Sequence, residues 1–253
     1  MNGNSAVEVK ELRKVFRDGK RGEVWALKGI SFRAQRGEIY GLLGPNGAGK
    51  TTTLRILSTI LTPTTGEVWV NGFEVTAHPQ DIRRSIGFLT GETGLYSRLT
   101  PEELLRYFGK LYLTDNHYLE ERIQSLKEML AMEGFWNRKC VHLSTGEHQR
   151  VNIARTIIHD PSVIILDEPT AGLDVLASRA IVEFIKNARQ QGKCIILSTH
   201  DMGEAERLCD RIGIIHQGQL IAEGSRQELF NQHSASNLEE VFLKAIQHCQ
   251  ETY

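Results

Sequence analysis

Apolar and polar positions change rhythm along this chain. Near the start they alternate one for one: Val7 and Val9 lie among charged residues, and Ile30 and Phe32 are interleaved with Ser31 and Arg33. A period of two predicts half-buried strands. Val68 and Val70 carry the alternation up to Asn71-Gly72, with Phe73 and Val75 beyond it. Asn-Gly favours the left-handed backbone of a tight hairpin turn. From Thr100 the period lengthens. Thr100-Pro101-Glu102-Glu103 combines a capping hydroxyl, a first-turn proline and a glutamate at the capping-box position. Leu104, Leu105, Phe108, Leu111 and Tyr112 then recur at helical spacing. A second helix is predicted over 118–133, with Leu119, Ile123, Leu126 and Leu130 on one side and Gly134 as its stop. Beyond it, short apolar runs such as Val163-Ile164-Ile165-Leu166 and Cys194-Ile195-Ile196-Leu197 alternate with helical segments. That is the pattern of a parallel sheet covered on both faces. The stretch 238–246 reads as a short amphipathic helix packed on its own core. The architecture expected is an α/β core with a β-rich flank and a helical insert near 92–142.

Composition mainly excludes. With 253 residues, 40% apolar and 24% charged, the chain is long enough to bury a proper core and too apolar to be disordered. Thirty Lys+Arg against 31 Asp+Glu leave a net charge of -1, without the basic excess of a dedicated nucleic-acid binder, so no nucleic-acid partner is expected. Cys140, Cys194, Cys209 and Cys249 lie far apart with no C-x-x-C pair, which argues against a zinc site or a disulfide framework. No apolar run approaches the roughly 18 residues that span a bilayer, and residues 1–10 carry no apolar signal-peptide core. A reduced, soluble, intracellular protein is the expectation.

The chemistry begins after the apolar run from Ile39 to Leu43. Gly44-Pro45-Asn46-Gly47-Ala48-Gly49-Lys50-Thr51 fits G-x-x-x-x-G-K-[ST], and the following helix carries Leu54, Leu57 and Leu61 on one face. Glycines let backbone N–H groups converge on phosphate oxygens, and the helix start adds free donors and a favourable dipole. In such a loop Lys50 reaches the β- and γ-phosphates of a nucleotide and the Thr51 hydroxyl ligates Mg²⁺. Thr51-Thr52-Thr53 is a β-branched run that helix propensity alone would not select. A plain glycine-rich turn is the competing account, but strand, loop and helix fall in the order the motif needs. The candidate nucleotide-binding residues are therefore Gly44, Pro45, Asn46, Gly47, Ala48, Gly49, Lys50, Thr51 and Thr52. Further on, Val163–Leu166 is followed by Asp167 and Glu168. A parallel strand delivers its last residues to the edge where ligands bind, and successive side chains there point opposite ways. Asp167 is assigned to Mg²⁺ and Glu168 to the general base that activates a water for attack on the γ-phosphate.

Three further segments carry a family resemblance. Leu143-Ser144-Thr145-Gly146-Glu147-His148-Gln149-Arg150 looks like the signature usually written LSGGQxQR. Asp167-Glu168-Pro169-Thr170-Ala171-Gly172-Leu173-Asp174 is similar to the Walker B and D-loop, and Ser198-Thr199-His200-Asp201 to the switch-histidine segment. In that order over nearly the whole chain, they resemble the ATP-binding subunits of ABC transporters. The resemblance implies a P-loop NTPase (RecA-like) parallel-sheet core with an N-terminal antiparallel β subdomain and an α-helical subdomain insert. Residues 1–91 and 143–225 would form the β subdomain and core, 92–142 the helical subdomain and 226–253 a helical tail. It implies ATP hydrolysis with ATP and Mg²⁺ as cofactors, and two copies closing head to tail. Ser144 and Gly146 would contact the γ-phosphate of ATP held by the second copy, His200 the same phosphate in cis, and Asp174 would link the two sites. Ser144 and Glu147 also form a capping box, and both readings can hold together.

The chain departs from the family pattern in places. The usual Q-loop glutamine falls at Gly91, with Glu92 beside it as a candidate for the metal or the attacking water. Thr145 and Glu147 replace the usual Gly and Gln. Phe16 stands where a Tyr commonly stacks on adenine, and either does the same or belongs to the subdomain core. The segment 87–96 and Ser144-Thr145-Gly146 resemble the sodium-export subgroup, which implies a separate membrane-spanning permease, a place at the cytoplasmic face of the cell membrane and sodium ion as cargo. One rival is a soluble regulatory ABC ATPase acting on ribosomes or DNA, against which stand a single phosphate loop, a single signature and no sustained heptads. A second is a cassette that binds ATP without hydrolysing it, against which stand Glu168 and His200.

Overall fold

A computed structural model describes residues 5–18, 22–90 and 94–251. The alternating first third supplies strands β1 (Ser5–Asp18) and β2 (Gly22–Gln35), then the fully buried β3 (Ile39–Leu43), helix α1 (Lys50–Leu57), β4 (Thr65–Val70) and β5 (Phe73–Glu74). Four of the strands form an antiparallel sheet in the order β2-β1-β4-β5. Asn71 and Gly72, at φ +52° and +83°, make the expected turn between β4 and β5. Pairing of β1 with β2 slips register between Val9 and Leu12, where Glu11 takes φ +46° beside Gly29 at +106°.

The second sheet takes in β3 and is laid down together with its flanking helices as α2 (Pro79–Ser85), β6 (Ile86–Leu89), α3 (Pro101–Gly109), α4 (Asn116–Met129), α5 (Thr145–Ile157), β7 (Val163–Asp167), α6 (Val175–Gln190) and β8 (Cys194–Thr199). It is completed by α7 (Met202–Leu208), β9 (Arg211–His216), β10 (Gln219–Gly224), α8 (Arg226–His233) and α9 (Leu238–Glu251). Its order is β10-β9-β3-β8-β7-β6, parallel except for β10. The apolar runs are buried on both faces. Ile164, Leu166, Ile195 and Leu197 face the helices α3 to α6, in one core with Leu104, Leu105, Leu119 and Ile123. Val163, Ile165, Cys194 and Ile196 join Val7, Val9, Leu12, Leu54 and Leu57 in a second core, between the sheets. A third, smaller cluster holds Leu43, Ile212, Ile214, Leu238 and Val241, so α9 packs on its own chain. The turn between β9 and β10 lies against β2: the Lys28 N–H donates to the Gly218 carbonyl at 2.8 Å. No helix among the described residues is long and apolar enough to cross a membrane.

Three helix ends differ from the sequence expectation. Helix α3 stops at Gly109, where a Cβ would lie 2.2 Å from Leu119 Cδ1; Leu111, beyond it, is 63% exposed rather than on the buried face. Helix α4 stops at Met129, ahead of the expected Gly134. Ala131 takes φ +48°, and the bonds Met132 N–H to Lys127 O and Ala131 N–H to Glu128 O close a Schellman turn that swings Met132 and Phe135 into the core. Helix α1 ends the same way before Leu61 is reached. Thr59, at φ +62°, bonds Ile56 O, and Ile60 N–H bonds Arg55 O. A β-branched residue is strained there, and the Thr59 hydroxyl is buried with no hydrogen-bond partner. Replacing it by glycine should raise the unfolding free energy by about 1 kcal/mol, after the entropy glycine adds to the unfolded chain. A urea midpoint at or below that of wild type would show that this turn stores no strain.

Candidate active site

Strand β3 lies between β9 and β8, so the loop that follows it emerges mid-sheet at the carboxyl edge. Close packing shapes that loop as much as turn chemistry does. A Cβ on Gly44 would lie 2.1 Å from Ile215 O, and one on Gly49, the N-cap of α1 at φ +115°, would lie 2.7 Å from Leu27 Cδ2. Pro45, Asn46 and Gly47 are exposed, whereas Ala48, Gly49 and Lys50 are buried. The Lys50 ammonium turns back over the loop, donating to Gly44 O at 2.6 Å and Pro45 O at 3.2 Å, with Glu168 Oε1 at 3.7 Å. Burial pushes its pKa down, while the charges of Glu168 and Asp167 pull it up. The threonine run has local uses. The Thr51 hydroxyl donates to Asp167 Oδ1 at 3.3 Å, Thr53 donates to Gly49 O at 3.0 Å, and Thr52 is half-buried between them.

Asp167 and Glu168 stand at the end of β7, beside β8. Parallel pairing sets Asp167 level with Ser198, whose hydroxyl donates to Asp167 Oδ1. The chain then turns sharply, with Glu168 at φ +50° and its N–H bonded to Ser198 O at 3.2 Å and Ser198 Oγ at 3.1 Å. The turn carries Glu168 Oε1 to within 3.1 Å of His200 Nδ1, on a side chain that is half exposed. Lys50, Thr51, Asp167, Glu168 and His200 therefore meet at one place. Among the described residues no three His, Cys, Asp or Glu converge as a metal cage. The Thr51 hydroxyl and Asp167 carboxylate instead offer two hard oxygens, which suits Mg²⁺ that keeps water and takes substrate phosphates for its remaining positions.

The other predicted residues form a second group. Ser144 caps α5, accepting the Glu147 N–H at 3.3 Å, while Glu147 accepts the Ser144 N–H at 2.9 Å and pairs with Arg138. Although burial works against it, the bonds from Ser144 and Arg138 hold the Glu147 carboxyl below the usual range. Asp174 caps α6 by accepting the Ala177 N–H at 2.7 Å. The two capped helix starts, with Gly146, line one cavity of about 590 Å³. None of these residues bonds the phosphate loop; the Gln149 amide, which donates to Pro169 O at 2.9 Å, ties α5 to the segment after Glu168. Phe16 joins neither group. It pairs with Val24, is 39% exposed and lies under the Lys14 ammonium at 5.1 Å, so the alternative of a subdomain core does not hold. Glu92 and Gly91 lie outside the described residues. The sequence motifs contain Ser198 and Gln149 but give neither a role of its own. For Ser198 the available signal was a small hydroxyl at the end of an apolar strand, two residues before His200.

Gly146 has a packing duty that its sequence motif hides: a Cβ there would lie 2.5 Å from Ala177 Cβ. Gly146→Ala should therefore lower stability by about 1–3 kcal/mol in nucleotide-free protein. An unchanged melting temperature would leave only a ligand contact to account for the glycine.

Comparison with known proteins agrees with this fold. The family model described as ABC transporter matches residues 27–171, and a shorter AAA domain model matches 141–206. The ABC transporter ATP-binding protein NatA of Bacillus subtilis (strain 168) is 38% identical over 241 residues, covering 95% of this chain and 98% of that protein. The Nod factor export ATP-binding protein I of Rhizobium sp. (strain N33) is 37% identical, covering 94% of this chain and 76% of its own length. A solved ATP-binding subunit of an ABC transporter superposes with TM-score 0.85 at 31% identity, covering 95% of this chain and 99% of that one. A dimeric cassette in a post-hydrolysis state bound to ADP and Pi gives 0.78 at 29% identity, covering 87% and 98%. The chain belongs to the ABC transporter family as one of its ATP-binding domains, which are ATPases.

Proposed function

We propose that this chain is the motor subunit of an exporter: two copies close head to tail on ATP, hydrolysis reopens them, and the cycle drives a separate membrane-spanning permease. The observation that carries the reading is the division of the candidate residues into two groups. One gathers Lys50, Thr51, Asp167, Glu168 and His200 at the phosphate loop; the other gathers Ser144, Gly146 and Asp174 at a separate cavity. A pair of capped helix starts is an anion-binding surface in search of an anion, and the γ-phosphate held by a second copy supplies one. A solved cassette that is dimeric and bound to ADP and Pi supports two copies working together.

In this reading the loop residues 44–49 cradle the phosphates with backbone N–H groups, and Lys50 exchanges its loop carbonyls for phosphate oxygens. Glu168 takes the proton of the attacking water at Oε1. His200, 3.1 Å from that oxygen, orients the carboxylate and reaches the γ-phosphate. Thr51 and Asp167 hold Mg²⁺, which when bound neutralises charge on the β- and γ-phosphates. Phe16 offers an exposed ring for adenine. The permease and a position at the cytoplasmic face of the cell membrane follow from the exporter reading, and the Nod factor export relatives support it. Sodium ion is the cargo we propose, on the resemblance carried by residues 87–96 and Ser144-Thr145-Gly146.

Glu168→Gln keeps the shape of the side chain and loses its basicity. It should bind ATP as wild type does, hydrolyse it about 10²–10⁴-fold more slowly, and run as a dimer with ATP on size-exclusion chromatography. Adding Ser144→Arg should spare nucleotide binding and abolish that dimer. A dimer that survives the arginine would remove the signature from the interface. For the permease, pull-down of the chain from detergent-solubilised membranes should bring a polytopic subunit with it. Recovery of ribosomes or DNA instead would favour the regulatory rival.

A further inference from the structure

Behind the two carboxylates lies a hydroxyl with two partners. Ser198 is level with Asp167 across the β7–β8 pair and is fully buried. A serine hydroxyl has one proton to give and lone pairs to receive. Its proton goes to Asp167 Oδ1, the oxygen that also accepts the Thr51 hydroxyl, and it receives the Glu168 N–H at 3.1 Å. The Glu168 N–H reaches the Ser198 carbonyl as well, so the strand pairing does not depend on the hydroxyl. What the hydroxyl adds is orientation. Glu168 sits at φ +50°, a backbone region that residues with a side chain rarely adopt, and such conformations persist where the surroundings over-determine them. The turn made there sends the Glu168 carboxylate to His200 and Lys50.

We propose that Ser198 is a positioning residue for ATP hydrolysis: one hydroxyl fixes the Asp167 carboxylate and the backbone of Glu168 together, and so sets the spacing between them. The inference rests on the reading of Glu168 as the base. Ser198 acts only through its two neighbours, and a wrongly placed carboxylate loses rate before it loses nucleotide, because the loop grips the phosphates independently.

The test compares three variants of the full chain. Ser198→Ala removes donor and acceptor, Ser198→Thr keeps both, and Ser198→Val has the shape of threonine without the hydroxyl. In the alanine and valine variants kcat should fall about 10–100-fold, while KM for ATP and the melting temperature stay near wild type and threonine recovers most of the rate. The alanine arm decides the matter if the extra methyl of threonine does not fit a fully buried site. Added to Glu168→Gln, Ser198→Ala should lower the residual rate less than it does in wild type, since the base it places is gone and only its hold on Asp167 remains. A wild-type kcat in Ser198→Ala overturns the proposal, as does a parallel loss of rate, affinity and melting temperature. Equal losses in the two backgrounds overturn it too. A wild-type rate in Glu168→Gln alone removes the underlying reading and this inference with it, and is told apart because Ser198 is then untouched.

Discussion

An ammonium group taken out of water is costly unless oxygens replace its hydration shell, and Lys50, 5% exposed, is the cation around which this site is arranged. Two loop carbonyls accept its hydrogen bonds, and a carboxylate from a strand two places away in the sheet stands within 4 Å. The loop can turn back on itself because Gly44 and Gly49 carry no Cβ where Ile215 and Leu27 press closest. The oxygens that satisfy Lys50 are of the kind a triphosphate offers. A group held this way is already aimed, and binding need only exchange one set of oxygens for another.

Strand order does the rest. With β3 beside β8 and β8 beside β7, three segments far apart in sequence end at the same edge. The phosphate loop, the 198–200 segment and the 167–168 pair meet there without any long side chain having to reach. The face built by α5 and α6 depends on a different kind of fit. Two helix starts converge with their caps in place, and a single missing methyl at Gly146 lets them come close. Both helix starts line one cavity, at the end of a helix where a negative charge is favoured.

Much of this was legible in the residues. Alternation marked β1, β2 and β4; Asn71-Gly72 marked the turn from β4 to β5, and Thr100 and Ser144 marked helix starts, because caps and turns are local chemistry. Helix ends were read less well. Ala131 and Thr59 occupy left-handed positions where a glycine is the usual sign, so nothing in sequence announced the stops. Leu111 fitted a helical face, but periodicity names a face without saying where the helix ends. The second duty of Gly146 and the task of Ser198 depend on contacts with α6 and β7, which no local pattern encodes. Phe16 left a choice between ring stacking and core that only its exposure could narrow.

The turn holding Gly218 against β2 has a consequence for how the protein behaves in a crowded solution. β2 is the outer strand of its sheet and 14 residues long, a length at which unpaired backbone groups invite a strand from another molecule. The Gly218 carbonyl occupies the Lys28 N–H midway along, and the slip near Glu11 bends the ladder, so no long straight template remains. Gly218 also donates its own N–H to Ala48 O in the phosphate loop. Colloidal safety and the shape of the loop thus hang on one residue. A larger side chain there, pressed at 2.7 Å against Ala26 O, would surface as clumping as readily as lost nucleotide, two symptoms that look unrelated until traced to the same turn.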